Sequence, residues 1–156
     1  MNPVDLHFQW AQPMAADIAG AMATVTISAL SLHPPRHATG SNICKLWDAL
    51  KAAIDNGAAL DFFLPAPAKT HPATAMNGHA AERLHALGAR VHFVQVQNLL
   101  HAKTVAIDNR LAWVGSGNWT AAATAHNHEA YCRIDSPAIA QRLAAHWHDL
   151  KRNGAP

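Results

Sequence analysis

A chain of 156 residues, half of them hydrophobic and only 14% charged, is sized for one domain with a core of its own, which excludes a disordered or fibrous polymer. A formal net charge of +2 is too small to mark a nucleic-acid binder by itself, although twelve histidines add positive charge as pH falls. The apolar runs are too short to cross a bilayer, and the first residues offer neither a basic start nor an apolar stretch of signal-peptide length, so the expected location is the cytoplasm.

In chain order, Val4 to Trp10 reads as a first strand, and Gln12-Pro13 marks a break before an alanine-rich helix from about Met14 to Met22. Val25 to Leu32 is a second, β-branched strand, followed by a turn-rich loop from His33 to Ser41. Asn42 can cap a helix that runs to about Asn56 and stops at Gly57. Leu60 to Leu64 is a strand, Pro65 to Pro72 a loop, Gly78 to Leu87 a helix stopped at Gly88, and Val91 to Val96 a strand. Two further strands, Ala102 to Ile107 and Leu111 to Gly115, are joined by the turn Asp108-Asn109-Arg110. A short helix near Thr120 to Thr124, a strand from Glu129 to Ile134 and a last helix opened by Ser136-Pro137 complete the chain. That helix carries Ile139, Leu143, Ala144, Trp147 and Leu150 on one face. The alternation predicts an α/β fold, a mixed β-sheet sandwiched between α-helices, spanning residues 1–156 as a single unit.

Polar chemistry concentrates between His101 and Glu129. Side chains two apart on a strand share a face, so His101 and Lys103 place a nucleophile-capable imidazole beside a cation. Ser116 and Asn118 repeat the spacing, flanked by Gly115 and Gly117, which are read as letting a ligand approach the backbone; Asn127 and Glu129 are a third pair. A base or nucleophile, a cation, neutral hydrogen-bond groups and a carboxylate at strand ends together suit a phosphate. His-x-Lys alone means little, being expected about 0.4 times by chance at this composition. Adding Asp108 and Gly-Ser-x-Asn at a fixed offset lowers the expectation to on the order of one in a hundred thousand.

Other features read as structure. His7, His85 and His92 are ordinary surface or core histidines, and the five tryptophans are core and interface material rather than base-stacking platforms. His126/His128 and His146/His148 have the two-residue spacing that shares a metal on a strand but not on a helix. The second pair falls in a helix and neither pair has a cysteine or carboxylate cluster to complete it, so neither metal nor cofactor is expected. Cys44 and Cys132 lack Cys-x-x-Cys spacing and read as small buried hydrophobes.

The run from His101 through Lys103 to Asp108, followed by Gly115-Ser116-Gly117-Asn118, resembles the HxKxxxxD signature and downstream GSxN element of the phospholipase D superfamily, in particular its small single-motif bacterial endonucleases. The resemblance implies a phospholipase D/nuclease-like fold and a metal-independent phosphodiesterase, acting on DNA or RNA through a phosphohistidine at a site shared by a homodimer. In-line displacement at phosphorus asks for one group to attack and another, opposite it, to protonate the leaving oxygen, so two copies of His101 are needed. Lys103, Asn118 and Ser116 would hold the nonbridging oxygens, and Glu129 would fix the His101 tautomer through Nδ1–H. Asp108 belongs to the signature, yet its odd separation from His101 points it off the catalytic face and toward a structural or interface role. Arg36, His37 and Lys45 are candidates for lining the approach to the phosphate. A competing reading is hydrolysis or transfer on phospholipid or another small phosphodiester; no amphipathic helix with a basic face supports stable membrane association.

Overall fold

The computed structural model describes residues 3–36, 40–94 and 99–153. Among these residues seven strands form one mixed sheet. They are β1 (Val4–His7), β2 (Thr24–Ser28), β3 (Ala59–Pro65), β4 (Arg90–Val94), β5 (Lys103–Ile107), β6 (Leu111–Gly115) and β7 (Tyr131–Asp135). The helices are α1 (Ala11–Ala19), α2 (Asn42–Asp55), α3 (Asn77–Leu87), α4 (Ala121–Ala125) and α5 (Pro137–Asn153).

The sheet order is β1-β7-β6-β5-β2-β3-β4. β2, β3 and β4 run parallel, because α2 and α3 carry the chain back between them, while β5 lies antiparallel to β2. From β5 through β6 and β7 to β1 every pairing is antiparallel. Strand alternation divides the apolar residues between two faces. Val25, Ile27, Leu60, Phe62, Leu64, Val105, Ile107, Trp113 and Tyr131 join α1, α2 and α3 in the main core. Phe63 belongs to a second cluster with Val94, Leu100 and Trp147, which α5 completes with Leu143 and Leu150. All five tryptophans are buried.

Several boundaries differ from the sequence expectation for local reasons. α1 begins at Ala11 and contains Pro13, rather than starting after it. The third helical position needs no intrahelical N–H bond, so proline is tolerated there. Ser41, not Asn42, caps α2, its hydroxyl accepting from the Cys44 N–H. Asn42 instead sits inside the helix and donates its amide to the Thr124 carbonyl. In α5, Ile139 is exposed and Ala140 is buried, because stepping back from Trp147 by two helical turns lands on 140. Gly88 ends α3 in the left-handed conformation that a residue with a Cβ avoids.

A buried asparagine missed by sequence reading fixes the loops above the parallel strands. The Asn77 amide donates to the carbonyls of Leu30 and Pro65, and its oxygen accepts from the Leu32 N–H. This holds the exit of β2 against that of β3 while satisfying every polar group involved. On the α5 face, Thr104 shares a hydroxyl hydrogen bond with Ser28 and accepts from the Trp147 indole, which locks the helix onto β5.

Candidate active site

The exits of β2 and β6 and the entrances of β5 and β7 meet at one edge of the sheet, and the polar residues of the His101–Glu129 segment gather there. Leu100 is buried in the α5-side cluster, whereas the neighbouring His101 is exposed on the lead-in to β5. Lys103, the first residue of β5, is only 4% exposed, and its register partner is Gly115, so its stem lies beside a position that has no side chain. Lys103 Nζ lies 2.9 Å from His101 Nδ1 and 3.4 Å from Nε2, and donates to the His101 carbonyl at 2.6 Å. Burial pulls the Lys103 ammonium below its ordinary range, opposed by the negative charge of Glu129.

Ser116 and Glu129 form the opposite wall. The Ser116 hydroxyl donates to Glu129 Oε2 at 2.5 Å and accepts from the Ala130 N–H, while the Asn127 amide donates to Glu129 Oε1 at 3.2 Å. The carboxylate is therefore held by Ser116 and Asn127, and the neighbour of His101 Nδ1 is Lys103. The expected Glu129 to His101 Nδ1 bond is replaced by these contacts, because an ammonium reaches the ring nitrogen that the carboxylate was to occupy. Asn118 accepts the Ser31 N–H through its side-chain oxygen at 3.2 Å, leaving its amide nitrogen available. Ser31 was not identified from sequence; it is brought in by an extension of β2, where Leu32 bridges to Trp119.

The glycines of this turn serve packing rather than ligand approach. A Cβ on Gly115 would lie 2.4 Å from the Ala130 carbonyl oxygen and from the Tyr131 ring, and one on Gly117 would lie 3.0 Å from the Trp10 ring. Tyr131 fills this space and donates its hydroxyl to the Gly117 carbonyl. The aromatic wall thus sets the turn that presents Ser116 and Asn118, and its signal in the sequence is only that Tyr131 and Trp10 are large.

Among the described residues, Asp108, Arg36 and Lys45 do not join this group. Asp108 lies at the far end of β5, seven residues from His101 and therefore about 20 Å away along a strand. Its carboxylate accepts the N–H groups of Met22, Ala23 and Thr24, and its backbone takes φ 51° in the β5–β6 turn. Burial tends to raise its pKa, but these three N–H donors outweigh that and hold it below the usual carboxylate range. Asp108 therefore holds the start of β2 rather than facing His101. Arg36 is exposed and lines, with His33, Ser41 and Thr120, a cleft of about 510 Å³ beside the site. His37 lies outside the described residues, and Lys45 is exposed on α2 away from that cleft.

The histidine pairs take separate places. His126 and His128 line a second cleft next to Glu129, and His148 Nε2 lies 4.0 Å from buried Asp61, whose carboxylate binds Arg90 and His92. His92 is thus a half-buried partner of a carboxylate, as a structural histidine should be. Among the described residues no group of three or more His, Cys, Asp or Glu side chains is placed to hold a metal ion, and no helix is long and apolar enough to cross a membrane.

The sheet thus gathers a histidine, a buried lysine, a serine, an asparagine and a glutamate at one edge. The family described as "Cardiolipin synthase, PLD-like domain" matches residues 14–151, so this chain belongs to the phospholipase D-like family. A search of curated protein sequences finds no relative. Among solved structures, the chain is similar to Nuc from Salmonella typhimurium, a phospholipase D family member, at 22% identity and a TM-score of 0.78, with 97% of this chain and 95% of that one covered. NucT from Helicobacter pylori is similar at 15% identity and a TM-score of 0.70, with 94% of each chain covered. Polyphosphate kinase from Porphyromonas gingivalis shares the fold at 17% identity and a TM-score of 0.65 over 98% of this chain and 26% of its own. At these identities the likeness is one of fold.

Proposed function

We propose that the chain is a metal-independent nuclease of the phospholipase D-like family, hydrolysing DNA or RNA at a site composed from two copies of the chain. The observation that carries this reading is the exposed imidazole of His101 held 2.9 Å from the buried ammonium of Lys103. A buried cation costs solvation, and a phosphate diester is the ligand that would offset it. A phosphate oxygen arriving at Lys103 takes over the ammonium as donor and frees the His101 ring. One His101 nitrogen then attacks phosphorus, forming a P–N bond as the P–O bond to the leaving group breaks. The partner subunit's His101, protonated, gives its proton to the departing oxygen, and afterwards takes one from the water that hydrolyses the phosphohistidine. Lys103 and the Asn118 amide stabilise the nonbridging oxygens, with Ser116 held in place by Glu129.

The test is a mixed dimer. Wild-type protein should be dimeric by light scattering, cut DNA or RNA in excess EDTA, and carry acid-labile phosphate on His101 when quenched during turnover. Heterodimers of wild-type and His101→Ala chains should fall far below half activity, since one missing imidazole removes either nucleophile or acid from the shared site. A fully active monomer, activity lost on chelation and restored by magnesium, or turnover of phosphatidylcholine vesicles with no nucleic acid cut would overturn the reading.

A further inference from the structure

A cleft of about 880 Å³ opens beside the candidate active site, and Glu129 belongs to both. No Lys or Arg is among its lining residues. A groove that followed a phosphate backbone would need such cations. Its walls carry instead the amides of Gln12, Asn42 and Asn127, the imidazoles of His126 and His128, and the ring of Phe8, which is 71% exposed. The Asn42 amide is already engaged, its nitrogen on the Thr124 carbonyl and its oxygen on the Gln12 amide at 3.4 Å. Asn127 spends its nitrogen on Glu129. The side-chain oxygens of Gln12 and Asn127 have no hydrogen-bond donor among the described residues, so each can accept one. The neighbouring cleft at Arg36 has the opposite character, with a guanidinium among prolines and small residues.

We propose that the cleft at Phe8 and Gln12 is the seat of an unpaired nucleobase adjacent to the scissile phosphate, which makes single-stranded nucleic acid the preferred substrate; this rests on the nuclease reading above. An aromatic face and hydrogen-bond acceptors beside one another match a planar ring with exocyclic amino groups. A base still paired in a duplex presents neither its face nor its Watson–Crick edge to such a cleft. With the phosphate at Lys103 and the base beyond Glu129, the cleft fixes which diester bond is cut.

Two substrates separate the subsite from the catalytic centre. One is a single-stranded hexanucleotide, and the other is bis(p-nitrophenyl) phosphate, a diester with no base. Phe8→Ala/Gln12→Ala should lower kcat/KM for the hexanucleotide about ten-fold, the size of losing one stacked base, while diester hydrolysis stays within about two-fold and certifies that the variant is folded. A hexanucleotide with an abasic sugar beside the cut should be slowed by the same factor in wild-type protein and show no further loss in the variant. Equal losses on both substrates, or no loss on either, would sink the base seat and leave the nuclease reading standing. Hydrolysis of the small diester with no cleavage of any nucleic acid would sink that reading and the base seat with it.

Discussion

The two ends of β5 carry the two halves of one sequence signature and do opposite work. At the entrance, His101 is exposed and touches the buried Lys103. At the exit, Asp108 occupies all of its carboxylate with three backbone N–H groups at the start of β2. A polar group whose partners are already supplied stabilises the fold, and one left open stores binding capacity. A motif read as one unit therefore divides into an open end and an architectural end about 20 Å apart.

The largest effect expected belongs to the entrance. His101→Ala should lower turnover by about 10⁴-fold or more, yet leave the thermal midpoint within about 2 °C, because little buried contact is removed. Parallel kinetics and melting curves would check both, and a large loss of stability with residual turnover would reverse the assignment of the two ends. Next comes the aromatic wall. Gly115→Ala places a methyl 2.4 Å from the Ala130 oxygen and the Tyr131 ring, and urea titration should show a loss of about 3 kcal/mol. An unchanged urea midpoint would mean that this turn is not set by the packing described.

At the exit the pattern should invert. Asp108→Ala strips three N–H groups of their acceptor and should cost about 2 kcal/mol of stability, with activity of the folded protein retained within about three-fold. A collapse of kcat without destabilisation would return Asp108 to the chemistry. The smallest expected effect is in acid. Asp61 is pushed up by burial but more strongly held down by Arg90 and His92, reaching about 2, and Asp108 is likewise depressed. Both carboxylates have lower pKa values folded than unfolded, so each adds stability above its unfolded pKa that is lost in acid, and for Asp61 the loss runs from about pH 5 toward 2. Asp61→Asn should flatten this acid limb in urea midpoints measured between pH 5 and 2. A wild-type profile as flat as the variant's would remove the Asp61 ion pairs from the account.

Part of the candidate site was legible because residues two apart in extended backbone lie on one face. His101, on the lead-in to β5, meets Lys103, and Asn127 meets Glu129 in the turn that precedes β7, where the loop rather than a strand period sets the contact. Glycine was harder to read, since an absent side chain serves a ligand or a neighbour equally well. Gly115 and Gly117 turned out to accommodate Tyr131 and Trp10, residues whose distance in the chain hides the contact. The Asn77 hydrogen bonds to Leu30, Leu32 and Pro65 have no local signature either, because they span up to 47 residues.

What the sequence determined by itself was the alternation of strands and helices, the family signature and the pairing of residues two apart, all consequences of local geometry. Only the tertiary structure decided that Asp108 binds the backbone at the start of β2, that Lys103 rather than Glu129 meets the His101 ring, and that a cleft without lysine or arginine adjoins the site. Those outcomes depend on which distant backbone groups and side chains reach one point in space. Chain spacing does not encode that once the separation exceeds a strand or a turn.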